Sequence, residues 1–286
     1  MKKLLLALLA VVLLLAACAL AEDAPIVYTS GDFQYILLED GTAEITGYSG
    51  KAAELTIPAE LDGHTVTSLA DSSIAFCRKL ITVTIPDTVV SIADHAFASC
   101  RKLTTVSIPD SVLFVGANPF ASCDMLTDII VSPDHPTLAI IDGVLFSKTD
   151  KTLICYPTTL PDSTYAVPQG ICSIGSYAFQ NCDSLISITL PDTIVFIDDD
   201  AFSACNNLAT VNLPDGVTSI GESAFSFCTS LTSLNIPENV TAIGADAFLA
   251  CSALTITVPR DSYAAQYCKE NNLPYTYIDF LDWLLN

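Results

Sequence analysis

Seven cysteines recur in a single phase. Cys77, Cys100 and Cys123 are 23 residues apart, and Cys182, Cys205, Cys228 and Cys251 keep the same step. The prolines repeat it, from Pro86 to Pro109 and again at Pro168, Pro191, Pro214 and Pro237. A fixed period of this length excludes an ordinary globular core. Each unit is one supersecondary element, and it buries its apolar side only by stacking on copies of itself.

Within a unit the local signals are consistent. In Leu103-Thr104-Thr105-Val106-Ser107-Ile108, Val106 and Ile108 fall on one face at period two, which predicts a short strand. Pro109-Asp110 ends it, because proline cannot donate to a ladder and aspartate favours turns. A second extended piece follows, as in Val217-Thr218-Ser219-Ile220. Gly221 is then expected where the backbone wants positive φ. Asp198 stands in that slot in another unit, an exchange the left-handed region tolerates for aspartate. Ala224-Phe225 and Cys228 pack inward on a tight helical turn before the next unit begins at Leu231. In the first unit, alignment on Cys77 puts Ile74 rather than Phe76 in the phenylalanine slot.

The period, the Leu-x-x-Val-x-Ile spacing and the text "LTSLNIPENVTAIGADAFLAC" resemble the BspA-like leucine-rich repeats of bacterial surface proteins. The resemblance spans about residues 55–260. It implies a curved right-handed solenoid with a parallel sheet on one face, and a broad role in surface attachment or protein binding. Nine strand-to-proline turns are countable, ending at Pro58, Pro86, Pro109, Pro133, Pro168, Pro191, Pro214, Pro237 and Pro259. At about 4.8 Å per strand the stack is roughly 40 Å long.

The ends differ from the repeats. Residues 1–21 form a secretory leader: Met1-Lys2-Lys3, then the apolar run Leu4 to Leu15, then small residues. Two cleavage patterns coexist. Residues 15–18 fit a lipobox that would make Cys18 the lipidated N-terminus, and Ala19-Leu20-Ala21 fits a site that releases a soluble chain. Either way the protein is expected outside the cytoplasm, as a cell-surface lipoprotein or a secreted protein. Residues 30–50 alternate around Asp40-Gly41, so residues 22–54 are expected to form a β-hairpin cap. Residues 261–286 combine a helical stretch, an extended Tyr275–Ile278 and an apolar tail, hence a mixed C-terminal cap. From Pro133 to Pro168 the step is 35 rather than 23, so a protruding hairpin is expected at about 134–167.

Charge narrows the partners. Without Lys2 and Lys3 there are 9 basic against 32 acidic residues, a net of about −23. Such a chain is repelled by nucleic acid and by anionic membranes, so membrane contact is expected only through a lipid anchor.

Chemistry is sparse. The in-phase cysteines all point into a core, and no C-x-x-C occurs, which favours a buried thiol ladder over disulfides or a metal. Cys155, Cys172 and Cys268 are off the ladder, and Cys155 and Cys172 are a further candidate pair. His64, His95 and His135 fall on different turns at different phases. No nucleophile–base motif or phosphate loop is present, so an enzyme is the weakest of three readings and no cofactor is implied. Acidic residues follow the repeat proline at Asp87, Asp110, Asp192, Asp215 and Glu238. They offer hard oxygens to Ca²⁺, densest at Asp198-Asp199-Asp200, or they simply cap turns on a solvated rim.

The outward positions of the first strand are a polar carpet of Ser, Thr and Asn without the aromatic or arginine anchors of binding hot spots. The second strand is less uniform. Leu113-Phe114 and Val195-Phe196 replace polar pairs at outward slots about 14 Å apart. They form a candidate partner site, unless the hairpin folds over and buries them. The leading expectation is a non-catalytic extracytoplasmic repeat protein that presents a surface to an extracellular protein or glycan. A structural Ca²⁺-dependent surface element is the alternative.

Overall fold

The computed structural model describes residues 25–278. The leader expected at residues 1–21, Cys18 and the end of the C-terminal tail lie outside the described residues. Each turn of the solenoid contributes to three stacked ladders.

The first ladder is formed by the strands that precede the prolines. Ten such strands occur among the described residues, from Glu54–Thr56 to Tyr275–Tyr277. They pair in parallel with equivalent positions facing each other, as in Thr82 with Thr105 and Thr105 with Asp128. Nine lead into the expected prolines, and Tyr275–Tyr277 adds a tenth beside Thr255–Val258. The ladder is divided into sheets of four, three and three strands. The second ladder runs through Ala43–Tyr48, His64–Leu69, Ser91–Ile92 and Phe114–Val115. It resumes at Thr152–Cys155 and continues to Ala242–Ile243.

The third ladder is the helical turn, and its inter-turn amides all face one way. At the strand ladders both directions occur, as Leu113 N–H reaches back to Val90 O at 2.8 Å and Ile57 N–H forward to Thr84 O at 3.0 Å. In the helical turn the Phe97 and Phe202 amides reach forward, to Pro119 O and Ala224 O at 2.8 Å, while neighbouring amides close local turns, as Ala98 N–H does on His95 O at 2.8 Å. Inter-turn and local bonds fit one segment only if the backbone alternates. Residues two before and two after the phenylalanine slot are accordingly left-handed: His95 and Ser99, Asp200 and Ala204, Ser223 and Phe227. Each non-glycine residue there costs on the order of 1 kcal/mol. The inter-turn ladder offsets that cost.

The glycines serve another purpose than the one expected. Gly221 and Gly244 are absent from the left-handed positions. A Cβ on Gly221 would sit 2.5 Å from Asp198 C and Asp199 N, and one on Gly244 would sit 2.3 Å from Glu222 N. Close approach of stacked backbones, not positive φ, selects glycine. Asp198 is therefore not a left-handed substitute; the left-handed aspartate of that turn is Asp200.

The core repeats the same logic. Phe179, Phe202, Phe225 and Phe248 stack with centroids 5.0–5.8 Å apart and planes within 12°. The ladder cysteines are free thiols, and all but Cys77 donate to the carbonyl of the phenylalanine slot one turn back. Cys205 Sγ lies 2.9 Å from Phe179 O, and Cys228 Sγ lies 3.1 Å from Phe202 O. Cysteine suits the slot because it is small and apolar yet satisfies a buried acceptor. Ile74 fills the first phenylalanine slot as expected, with Cys100 Sγ on its carbonyl at 3.2 Å.

The ends depart from this pattern. Tyr28–Ser30, Phe33–Leu37 and Ala43–Tyr48 form an antiparallel meander, and its last strand joins the second ladder. At the far end, helix α1 (Tyr263–Glu270) starts from Ser262, whose Oγ accepts from Ala265 N–H. It buries Tyr267 and Cys268 against the last turns, and Tyr267 Oη donates to Gly244 O at 2.9 Å.

The irregular turn does not protrude. Leu138–Ile141, Val144–Ser147 and Thr152–Cys155 form an antiparallel meander whose middle strand is wholly buried. Its third strand pairs in parallel with Ser173–Ile174. The hairpin signal was sound, but four consecutive apolar or small residues at 144–147 give it a core address rather than a solvent one. His135, 1% exposed, closes the entry: its Nδ1 accepts from Thr137 and Leu138 N–H, and Nε2 faces Pro109 O. Two core clusters meet at this turn.

Candidate binding face

The site is built by a count of residues. From Ile174 to Phe179, and from Ile197 to Phe202, the step from the second ladder to the phenylalanine slot is five residues. In the irregular turn Leu153 pairs with Ile174, and Tyr156 N–H reaches Ala178 O, which puts Tyr156 in the phenylalanine slot after only three. The missing two residues are those that bulge outward elsewhere. Their absence leaves a pocket of about 350 Å³ between the turns on either side.

Asp94, Gly116 and Asn118 form one wall and Gly175, Ser176 and Asp198 the other, with Ser147, Asp150 and Ile154 between and Phe114 at the rim. No basic residue lines it. Asp94 Oδ1 accepts from Ala117 N–H at 2.8 Å, and Asp150 Oδ2 accepts from Ser147 Oγ at 2.8 Å. Asp198 Oδ2 accepts from Ser173 Oγ at 3.0 Å. Burial lifts the Asp198 carboxyl above the usual range, against the pull of that hydrogen bond.

The outward column of the second ladder crosses this pocket. It runs Ser68, Ser91, Phe114, then Thr152, Ser173, Phe196, Ser219 and Ala242. Phe114 is 56% exposed and Phe196 47%. Leu113 is exposed beside the first and Val195 half-buried beside the second. The hairpin does not cover them, because it is folded into the stack. Two apolar lips thus stand on either side of a polar, acidic depression.

Six copies of the BspA type leucine rich repeat region match the sequence, over residues 48–164 and 154–272. The chain belongs to the BspA-type leucine-rich-repeat family. Two solved structures are similar in fold. One is a leucine rich cell surface protein from Faecalibacterium prausnitzii, 25% identical, covering 92% of this chain and 98% of that one, with a TM-score of 0.54. The other is a leucine-rich repeat protein from Eubacterium ventriosum, 21% identical, covering 82% and 78%, with a TM-score of 0.56. No curated protein matches it.

Other candidates from the sequence are placed apart within this BspA-type scaffold. Asp198, Asp199 and Asp200 diverge: Asp198 takes Ser173, Asp199 Oδ1 accepts from Glu222 N–H at 2.7 Å, and Asp200 is left-handed beside Tyr177. Among the described residues no three of His, Cys, Asp and Glu are placed to hold a metal ion. Cys155 and Cys172 do not meet. Cys172 N–H bonds Lys151 O, four residues from Cys155 along an extended strand, about 13 Å away. Cys155 instead fills the alanine slot beside Tyr156, with Cys123 and Cys182 near it on the two flanking turns. His64 faces Gly41 O and His95 meets Tyr177 edge-on, so the three histidines share no site.

The pocket was missed by sequence reasoning. Its only trace is the Leu153-to-Tyr156 spacing, which becomes informative once both neighbours are aligned by structure.

Proposed function

We propose that this chain is a non-catalytic binding scaffold outside the cytoplasm, which seats a protein or glycan partner on the face between Phe114 and Phe196. The observation that carries this is the pair of exposed phenylalanines flanking a pocket at the one turn where the repeat is interrupted. Exposed aromatics beside a concave polar site are the usual anchors of recognition. Support for the location comes from the leader at residues 1–21 and from the cell-surface protein of F. prausnitzii that the fold resembles.

The test is Phe114→Asp plus Phe196→Asp, measured against arrays of glycans and of extracellular matrix proteins. The parent chain is expected to retain at least one array component, and the double variant to lose it by at least about tenfold with an unchanged melting temperature. Equal retention by both chains would overturn the assignment of this face.

A further inference from the structure

The basic residues of this acidic chain are not scattered. The parallel register that pairs Glu54 with Thr82 and Thr82 with Thr105 also aligns the three residues upstream. Lys51, Lys79 and Lys102 therefore form one column, and Arg78 and Arg101 form the next. Ile81 N–H on Ala53 O at 2.7 Å and Thr104 N–H on Ile81 O at 2.9 Å carry the alignment up to the corner. All five side chains are exposed. Later turns place Asp183-Ser184, Asn206-Asn207 and Thr229-Ser230 in the same slots.

This arrangement works against the fold. Like charges on adjacent strands, about 4.8 Å apart, repel one another. Arg101 Nε has Asp124 Oδ2 at 3.7 Å. Among the described residues, no carboxylate lies within 4.0 Å of Lys51, Arg78, Lys79 or Lys102. The aromatic beside them is equally unfavourable. Phe76 is 69% exposed, at the left-handed position that Ser99, Asn181 and Phe227 fill in other turns. Phe76, Arg78, Lys79 and Lys51 line a concavity of about 340 Å³. Repelling cations and an exposed aromatic coincide at one corner, the pattern of a site kept at the expense of stability.

We infer that this corner binds an extended anionic polysaccharide, whose acidic groups follow the lysine and arginine columns along the solenoid axis while a sugar face packs on Phe76. The shape of the patch selects a narrow chain over a bilayer. Exposed Glu54 and Asp124 border the columns, and a plane of anionic headgroups would meet them too. The corner lies away from the Phe114–Phe196 face and stands independently of it.

Heparin is the probe, titrated calorimetrically into the full chain, with neutral dextran as control. Binding is expected at low salt, weakening on the order of a hundredfold between about 50 and 200 mM salt if about four cations take part. Lys79→Glu with Lys102→Glu should weaken it at least about tenfold. Lys151→Glu with Lys269→Glu, the same charge change elsewhere, should alter it less than about twofold. Phe76→Asn should weaken it about threefold without loss of stability, since asparagine tolerates the left-handed region. Absent heparin binding, or equal loss in both charge-reversal variants, overturns the inference. So does binding to vesicles of equal phosphatidylglycerol and phosphatidylcholine without binding to heparin, which would assign the corner to a membrane.

Discussion

The turns from Pro168 to Pro259 and the turn at 134–167 solve one packing problem in two ways. In the regular block every slot is filled by the same residue type, so Phe179, Phe202, Phe225 and Phe248 stack almost in parallel. In the irregular turn Tyr156 fills the slot on a shorter chain and meets Phe179 at 31°. Its hydroxyl and that of Tyr165 are buried with no hydrogen-bond partner. Regularity maximises burial and leaves a bland surface. The interruption gives up packing and polar satisfaction, and in return opens a pocket. The proposed binding features of this solenoid lie where the repeat fails, at the shortened turn and at the first turns, where lysines and arginines replace the residues Asp183-Ser184, Asn206-Asn207 and Thr229-Ser230 of later turns.

Buried thiols are what the two regions share, Cys155 in the shortened turn and Cys182, Cys205 and Cys228 in the regular block, and they give the largest expected effect. Burial pushes the Cys123 and Cys205 thiols up to about 12, and raises Cys155, Cys182 and Cys228 as well. A thiol raised in the folded state loses its proton first in the unfolded chain. Its contribution is therefore intact below about pH 8.5 and declines as pH rises toward the folded value. Each such thiol should withdraw about 1.4 kcal/mol per pH unit in that window. Denaturation followed from pH 8 to 10 should show a steep, multi-thiol loss of stability in both blocks; a flat profile would mean these cysteines are not thiols.

Truncation in the phenylalanine stack should separate the regions. Phe202 has an aromatic ring on both sides, whereas Phe120 stacks only on Phe97. Phe202→Ala should cost about 4 kcal/mol and Phe120→Ala about 3 kcal/mol by urea titration. Equal costs would show that stack continuity adds nothing beyond burial.

A smaller contrast lies in the close-approach column. Gly221→Ala should cost about 2 kcal/mol, because the added methyl meets backbone that cannot yield. Asp198→Gly, at the pocket wall, should stay within about 0.5 kcal/mol, since it removes a half-buried carboxylate and one hydrogen bond together. Thermal melts of the two variants decide whether the stacked-glycine contact is less tolerant than the pocket wall.

Much of the architecture could be read from spacing. The Cys77-to-Cys123 and Cys182-to-Cys251 steps identified the stacked core, and Ile74 was placed in the phenylalanine slot by alignment alone. The glycines were misread because a positive φ and a close backbone contact leave the same mark in a single sequence. The hairpin was found but given the wrong address, since alternation within a strand pair says nothing about which way the pair folds.

What the sequence determined by itself is everything that depends on a residue and its copies one period away: the period, the inward Val, Ile, Phe and Cys, and the outward Phe114 and Phe196. Tertiary structure alone decided what depends on distances across turns of unequal length. The pocket exists because Leu153 to Tyr156 is two residues shorter than its neighbours. The basic corner exists because register brings Lys51, Lys79 and Lys102 side by side although their spacings in the chain are 28 and 23 residues. A periodic pattern shows which residues recur; only the stacked backbone shows what an interruption leaves open between them.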